Sequence, residues 1–310
     1  MEKTYTNPVA QRADDPWVIR QNGSYYYCYS GNGGVCVKKL DRLTDLSREG
    51  GVTVWTPPAG KEYSKELWAP ELHYLNGRWY IYVAADDGNN ENHRMYCLEG
   101  DQSDPTKPFV MKGKLSDNGD HWAIDGTVMN LSGKLYFIWS GWEGYENVAQ
   151  NIYIASMKNP WTLDSDRVML SKPQYYFEMN GTPLINEGPA VLQRDGKTFV
   201  AYSASGSWTD DYCLGLLTYL GGDPLKQENW DKATDPVFLR TDRVFGPGHC
   251  SFTVSPDGTE DWMVYHANAE SGSGWSGRKG CIQKVEWKDG KPQFGRPLAF
   301  GTLAPVPSGE

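Results

Sequence analysis

The chain has 310 residues, 39% of them hydrophobic and 13% aromatic, which is enough to bury a sizeable core. A formal net charge of -9 and an isoelectric point near 5.1, without Lys or Arg clusters, disfavour a nucleic-acid partner, and no apolar run reaches the ~18 residues of a membrane-spanning helix. The opening Met1-Glu2-Lys3-Thr4-Tyr5 lacks the apolar stretch of a signal peptide, so the expected place is the cytoplasm, or outside it (secreted or periplasmic) with a leader removed.

Five related segments follow in chain order: ADDPWVIRQNGSYYYCYS from Ala13, WAPELHYLNGRWYIYVAA from Trp68, AIDGTVMNLSGKLYFIWSG from Ala123, NEGPAVLQRDGKTFVAYSA from Asn186 and GPGHCSFTVSPDGTEDWMVYHA from Gly246. Aligned on Pro16, Pro70, Gly126, Pro189 and Ser251, they recur every 54 to 63 residues, the size of a propeller blade. Each has a turn dipeptide at a matching offset: Asn22-Gly23, Asn76-Gly77, Ser132-Gly133, Asp195-Gly196 and Asp257-Gly258. Such pairs accept positive φ and close hairpins. Further strands are expected at Arg94 to Leu98 and Asn151 to Ala155, loops at Asp86 to Asn92, Lys112 to His121 and Ser205 to Asp211, and a surface strap from Leu303 to Glu310. The expected architecture is all-β, a single five-bladed β-propeller over residues 1–310. The six cysteines form no CxxC pair and are expected to be buried free thiols, with neither zinc nor a disulfide framework.

In a propeller the innermost strands converge on one axis, so matched positions on different blades meet. Asp15, Asp125 and Glu187 open the first, third and fourth copies, while Ala69 and His249 stand in the second and fifth. An acid beside Pro or Gly commonly does no more than form a turn. Three at matching positions supply the parts for cleaving a bond between sugars: a protonated carboxyl for the leaving oxygen, an ionised one to activate water, and a third whose charge keeps the proton on the acid. Trp68 is a candidate sugar platform, with closure of blade two as its structural alternative. Glu71, His73, Glu143 and Glu146 are assigned to structure or loops.

The set DDPW (14–17), WAPE (68–71), AIDGT (123–127), NEGP (186–189) and GPGHCSF (246–252) resembles glycoside hydrolase family 43, five-bladed propeller enzymes that hydrolyse arabinose- or xylose-containing polymers with inversion. The resemblance runs from Asn7 to Gly295. It implies Asp15 as general base, Asp125 as the residue that tunes the acid and positions the sugar, and Glu187 as general acid. Asp14 beside Asp15 departs from the family pattern and leaves a second candidate for the base. The resemblance also implies that Arg278 reaches the sugar in the first subsite. It places His249 on the axis, touching the sugar or holding calcium through ordered water, although calcium prefers oxygen ligands. No cofactor is expected for the chemistry; a calcium in the axial cavity would be structural.

Residues 124–142, 150–161 and 94–96 look most like the α-L-arabinofuranosidase branch, which implies release of arabinose from α-1,5-arabinan or its oligosaccharides. A β-xylosidase or an endo-arabinanase would share the same carboxylates. A non-catalytic, glycan-binding propeller would be favoured had any of the three been missing.

Overall fold

A computed structural model of the protein describes residues 3–310. Five antiparallel sheets follow one another along the chain, with inner strands Trp17–Gln21, Lys65–Leu75, Ala123–Leu131, Leu184–Arg194 and Phe245–Val254. In blade three the outermost strand is split into Thr162–Leu163 and Val168–Ser171. Blades three and four are also joined by a short parallel pairing of Ala149 with Leu184 and Gln150 with Ile185.

Strand residues alternate between two faces, and each blade uses both. In Arg78–Asp86 of blade two, Trp79, Ile81 and Val83 pack towards blade one, whereas Tyr80, Tyr82 and Ala84 pack towards blade three. One apolar cluster fills each junction from blade one round to blade five. A fifth joins Trp262, Val264 and Ile282 of blade five to Val18, Tyr25 and Tyr27 of blade one, which closes the ring. The molecule is a five-bladed β-propeller, and its many aromatic residues serve mainly as filling between blades.

The hairpins follow the turn dipeptides. Asn22, Asn76, Ser132 and Asp195 have φ between 50° and 54°, and each precedes a left-handed glycine. These are the paired positive φ values of a type I′ turn. The fifth turn differs: only Gly258 is left-handed, and the Asp257 carboxylate accepts from Thr259 N at 3.0 Å and Ser255 Oγ at 2.7 Å, an Asx-type loop. The expected strands at 94–98 and 151–155 lie within Arg94–Glu99 and Ala149–Asn159. The loop expected from Lys112 is shorter, because Val110–Leu115 pairs as the outer strand of blade two. All six cysteines are free and buried.

Ring closure uses the chain ends. Thr4–Thr6 pairs with Leu303–Pro305 inside the expected strap. Asn7 then stitches blade five: its Nδ2 donates to Ile282 O at 2.9 Å, and its Oδ1 accepts from Ile282 N at 3.0 Å.

Candidate active site

Four inner strands break their pairing at one level. Ile124 and Thr127 face Ser140 and Ile138, so Asp125 and Gly126 together oppose a single residue, which is a β-bulge. The same slip follows Trp68, Glu187 and Gly248. The first bulge residue is left-handed in each case, with φ of 41° at Ala69, 55° at Asp125, 53° at Gly188 and 46° at His249; Asp15, just ahead of the first strand, has φ 48°. Pro16, Pro70 and Pro189 suit the following position, since a bulge needs no N–H there.

This register corrects the expected equivalence of the three acids. Asp15 and Asp125 match, but their counterpart in blade four is Gly188, and Glu187 sits one residue earlier, level with Trp68 and Ile124. The reason is space: a Cβ on Gly188 would come within 3.2 Å of the His249 ring. Blade four therefore presents its carboxylate from the neighbouring position.

Despite that offset, Asp15, Asp125, Glu187, Trp68, His249 and Arg278 all line one cavity of about 520 Å³. Arg278 Nη1 donates to Asp15 Oδ1 at 3.0 Å, with His249 Nδ1 3.1 Å and His266 Nδ1 3.7 Å from the same oxygen. Arg278 is buried. Asp14 pairs instead with Arg12 at 3.1 Å and Arg48 at 3.3 Å and does not line the cavity, so geometry favours Asp15 of the two. Trp68 lies flat against His93, ring centroids 3.9 Å apart, and also packs on the core between blades two and three. Glu71 and His73 are buried and face each other at 2.8 Å, while Glu143 and Glu146 are exposed.

The carboxyl groups are driven in opposite directions. Burial works against charge on Asp15, but His249, Arg278 and Arg48 outweigh it and hold its pKa below the usual range. Burial lowers the pKa of both His249 and His266, so Arg278 and Arg48 are the lasting positive charges acting on Asp15. Burial pushes Glu187 up to about 7, with the charge on Asp15 adding to it and a hydrogen bond from Tyr212 opposing it. Asp125 is raised well above the ordinary value by burial, then by Glu187 and Asp15. Repulsion between Asp125 and Glu187 is mutual, so they titrate as a pair. One site thus contains an ionised carboxylate and a carboxyl that keeps its proton near neutrality, the division that acid and base roles require.

The glycosyl hydrolases family 43 model matches residues 5–292. The chain belongs to glycosyl hydrolase family 43. An extracellular exo-α-(1→5)-L-arabinofuranosidase of Streptomyces avermitilis is 36% identical over 98% of this chain, which spans 65% of that relative's length. An enzyme of the same name from Streptomyces chartreusis is 33% identical, covering 85% of this chain and 82% of its own. The crystal structure of an α-L-arabinofuranosidase from Lactobacillus brevis superposes with a TM-score of 0.89 at 36% identity, covering 96% of this chain and 98% of its own.

Two participants in this family 43 site are not legible from the sequence motifs. Tyr212 OH donates to Glu187 Oε1 at 2.8 Å, and the Tyr212 ring lies parallel to His266 at 5.6 Å. Tyr212 precedes the third strand of blade four and His266 lies in the second strand of blade five, outside the inner-strand motifs. Their only sequence cue is a polar or aromatic residue near the same end of its blade.

Ligand atoms of Asp125, Glu187 and His249 lie within 4.8 Å of one another, close enough to share a cation. The donor set does not suit calcium. That ion takes six to eight oxygens, whereas this group has two carboxylates and an imidazole. Tyr212 already donates to Glu187 Oε1 and Gly188 N to Asp125 Oδ2 at 3.0 Å. A cation here would also expel the proton that Glu187 retains. Among the described residues no helix is long and apolar enough to cross a membrane.

Proposed function

We propose that the chain is an inverting α-L-arabinofuranosidase that releases single arabinose units from α-1,5-linked arabinan or arabino-oligosaccharides. The observation that carries this reading is the pairing, in one cavity, of a carboxylate held ionised by Arg278 with a carboxyl raised to about 7. The names of the Streptomyces relatives support arabinose over xylose as the released sugar. Their designation as extracellular supports the secreted alternative over the cytoplasmic expectation.

In this mechanism Glu187 gives its proton to the departing glycosidic oxygen as the C–O bond breaks. Asp15 takes a proton from a water that attacks the anomeric carbon from the opposite face, and the product leaves with inverted configuration. Asp125 orients the sugar and repels the negative charge that Glu187 acquires. Trp68 offers an indole face, and His249 and Arg278 hold Asp15 in place beside the sugar. No step requires a metal. The expected calcium, a structural occupant reached from His249 through ordered water, takes no part in these steps, and dialysis against a chelator is expected to leave kcat/KM unchanged.

The test is product analysis on linear α-1,5-arabino-oligosaccharides beside xylobiose, with proton NMR of the first-formed sugar. Arabinose alone, appearing first as the β-anomer, is the expected result. Early α-anomer would overturn inversion, and preferential cleavage of xylobiose would overturn the assignment of the sugar.

A further inference from the structure

The mouth of the cavity carries an aromatic pair with no part in bond cleavage. Trp208 and Trp275 are 37% and 56% exposed, yet both line the cavity that holds the acids. Trp208 lies on the loop after the strand Lys197–Ala204 of blade four, and Trp275 on the short turn Gly274–Gly277 of blade five.

Both rings are held in place. They meet edge to face with centroids 6.1 Å apart, and Trp275 Nε1 donates to Ser207 Oγ at 3.0 Å. Trp208 rests on glycine: a Cβ on Gly206 would come within 2.7 Å of its ring and one on Gly181 within 3.0 Å. The two loops are tied through Asp210, whose carboxylate accepts from Gly272 N at 2.9 Å and from Ser271 Oγ. Exposed indoles already fixed in position lose little freedom when a ligand arrives, and their apolar faces suit the C–H face of a sugar.

Position along the cavity assigns the sugar. Arg278 and Glu187 are each only 8% exposed and lie deep, where the ring to be released must sit. The acid must touch the departing oxygen, so the departing sugar lies on the Glu187 side and towards the mouth. Trp208 belongs to the same blade as Glu187.

We propose that Trp208 and Trp275 form a stacking platform for the leaving sugar, the unit next to the arabinose being released. This platform sets preference for oligosaccharides and rests on the arabinofuranosidase reading above.

The experiment measures kcat/KM for the wild type, Trp208→Ala, Trp275→Ala and Gly206→Ala on α-1,5-arabinotriose and on α-L-arabinofuranosyl fluoride. Fluoride as a leaving group is too small to reach the platform. Gly206→Ala leaves the indole present but displaces it from its seat. On the triose each variant should lose about tenfold, the worth of one aromatic contact. On the fluoride each should stay within about twofold of wild type, a split that general unfolding cannot produce. Equal losses on both substrates, or none on the triose, would overturn the platform. A wild type inactive on both would overturn the arabinofuranosidase reading, and the platform with it.

Discussion

At the level of single residues, the opposed shifts of Asp15 and Glu187 fix the expected pH dependence. The acid works only while protonated, so activity should fall as pH rises through about 7, the value to which Glu187 is pushed. The base works only while ionised, so the acidic limb should lie below the ordinary carboxylate range. Asp125→Asn removes one charge of the coupled pair and should move the alkaline limb down. Tyr212→Phe should move it up, because the ionised form of Glu187 loses its hydrogen-bond donor; a fall of about tenfold in kcat should accompany that shift. Opposite movements in pH–rate profiles of the two variants are the decisive reading. Glu187→Ala should lose about 10²- to 10⁴-fold on an oligosaccharide but far less on a dinitrophenyl arabinoside, whose leaving group needs no proton. Asp15→Ala should be poor on both, and steady-state kinetics on the two substrates separates the roles. Asp15, Asp125 and Glu187 were legible because each adjoins a Pro or Gly within a repeated motif. Tyr212 was not, because it lies outside the repeated segments, and His266 was not, because it stands at the far end of the fifth segment, away from the acid-bearing motif; only packing brings them to Glu187 and Asp15.

At the level of the strand, the bulge determines where each functional side chain emerges. The repeat shows that such a position exists but not which of two adjacent residues turns left-handed, since that depends on space across the axis. The alignment on Pro189 sets Gly188 opposite Asp15 and Asp125, so treating Glu187 as their equivalent was one residue out. Gly188 and Ala69 occupy equivalent bulge positions and provide a paired test. Gly188→Ala should cost about 1–2 kcal/mol, from the left-handed backbone together with the crowding against His249. Ala69→Gly relieves the corresponding strain and should be neutral or slightly stabilising. Thermal unfolding of both variants measures the difference; similar losses in the two would mean that the bulge is not set by its left-handed residue.

At the level of the whole molecule, five hairpins with local turn signals made the blades legible, whereas the contacts that close the ring had no local signal. The strap at Leu303–Pro305 was expected, but its pairing with Thr4–Thr6 depends on complementarity between distant segments. Asn7 is the most specific of these contacts. Asn7→Ala would leave the Ile282 N–H buried without an acceptor, while Ile282 O keeps a hydrogen bond from Tyr5 OH at 3.0 Å. The expected cost is about 1–3 kcal/mol, read as a lower midpoint in denaturant unfolding.

The partners of Asp15 carry a consequence for how the protein comes into being. Asp15 lies near the beginning of the chain, but His249, His266 and Arg278 all belong to blade five, and Arg278 is 263 positions away. A ribosome therefore delivers Asp15 long before the blade-five side chains that hold it in place. Blades one to four could form as synthesis proceeds and still leave that carboxylate without its hydrogen bond from Arg278. Hydrolysis should thus appear late and all at once, after the last blade has met the first, so that turnover reports completion of the fold.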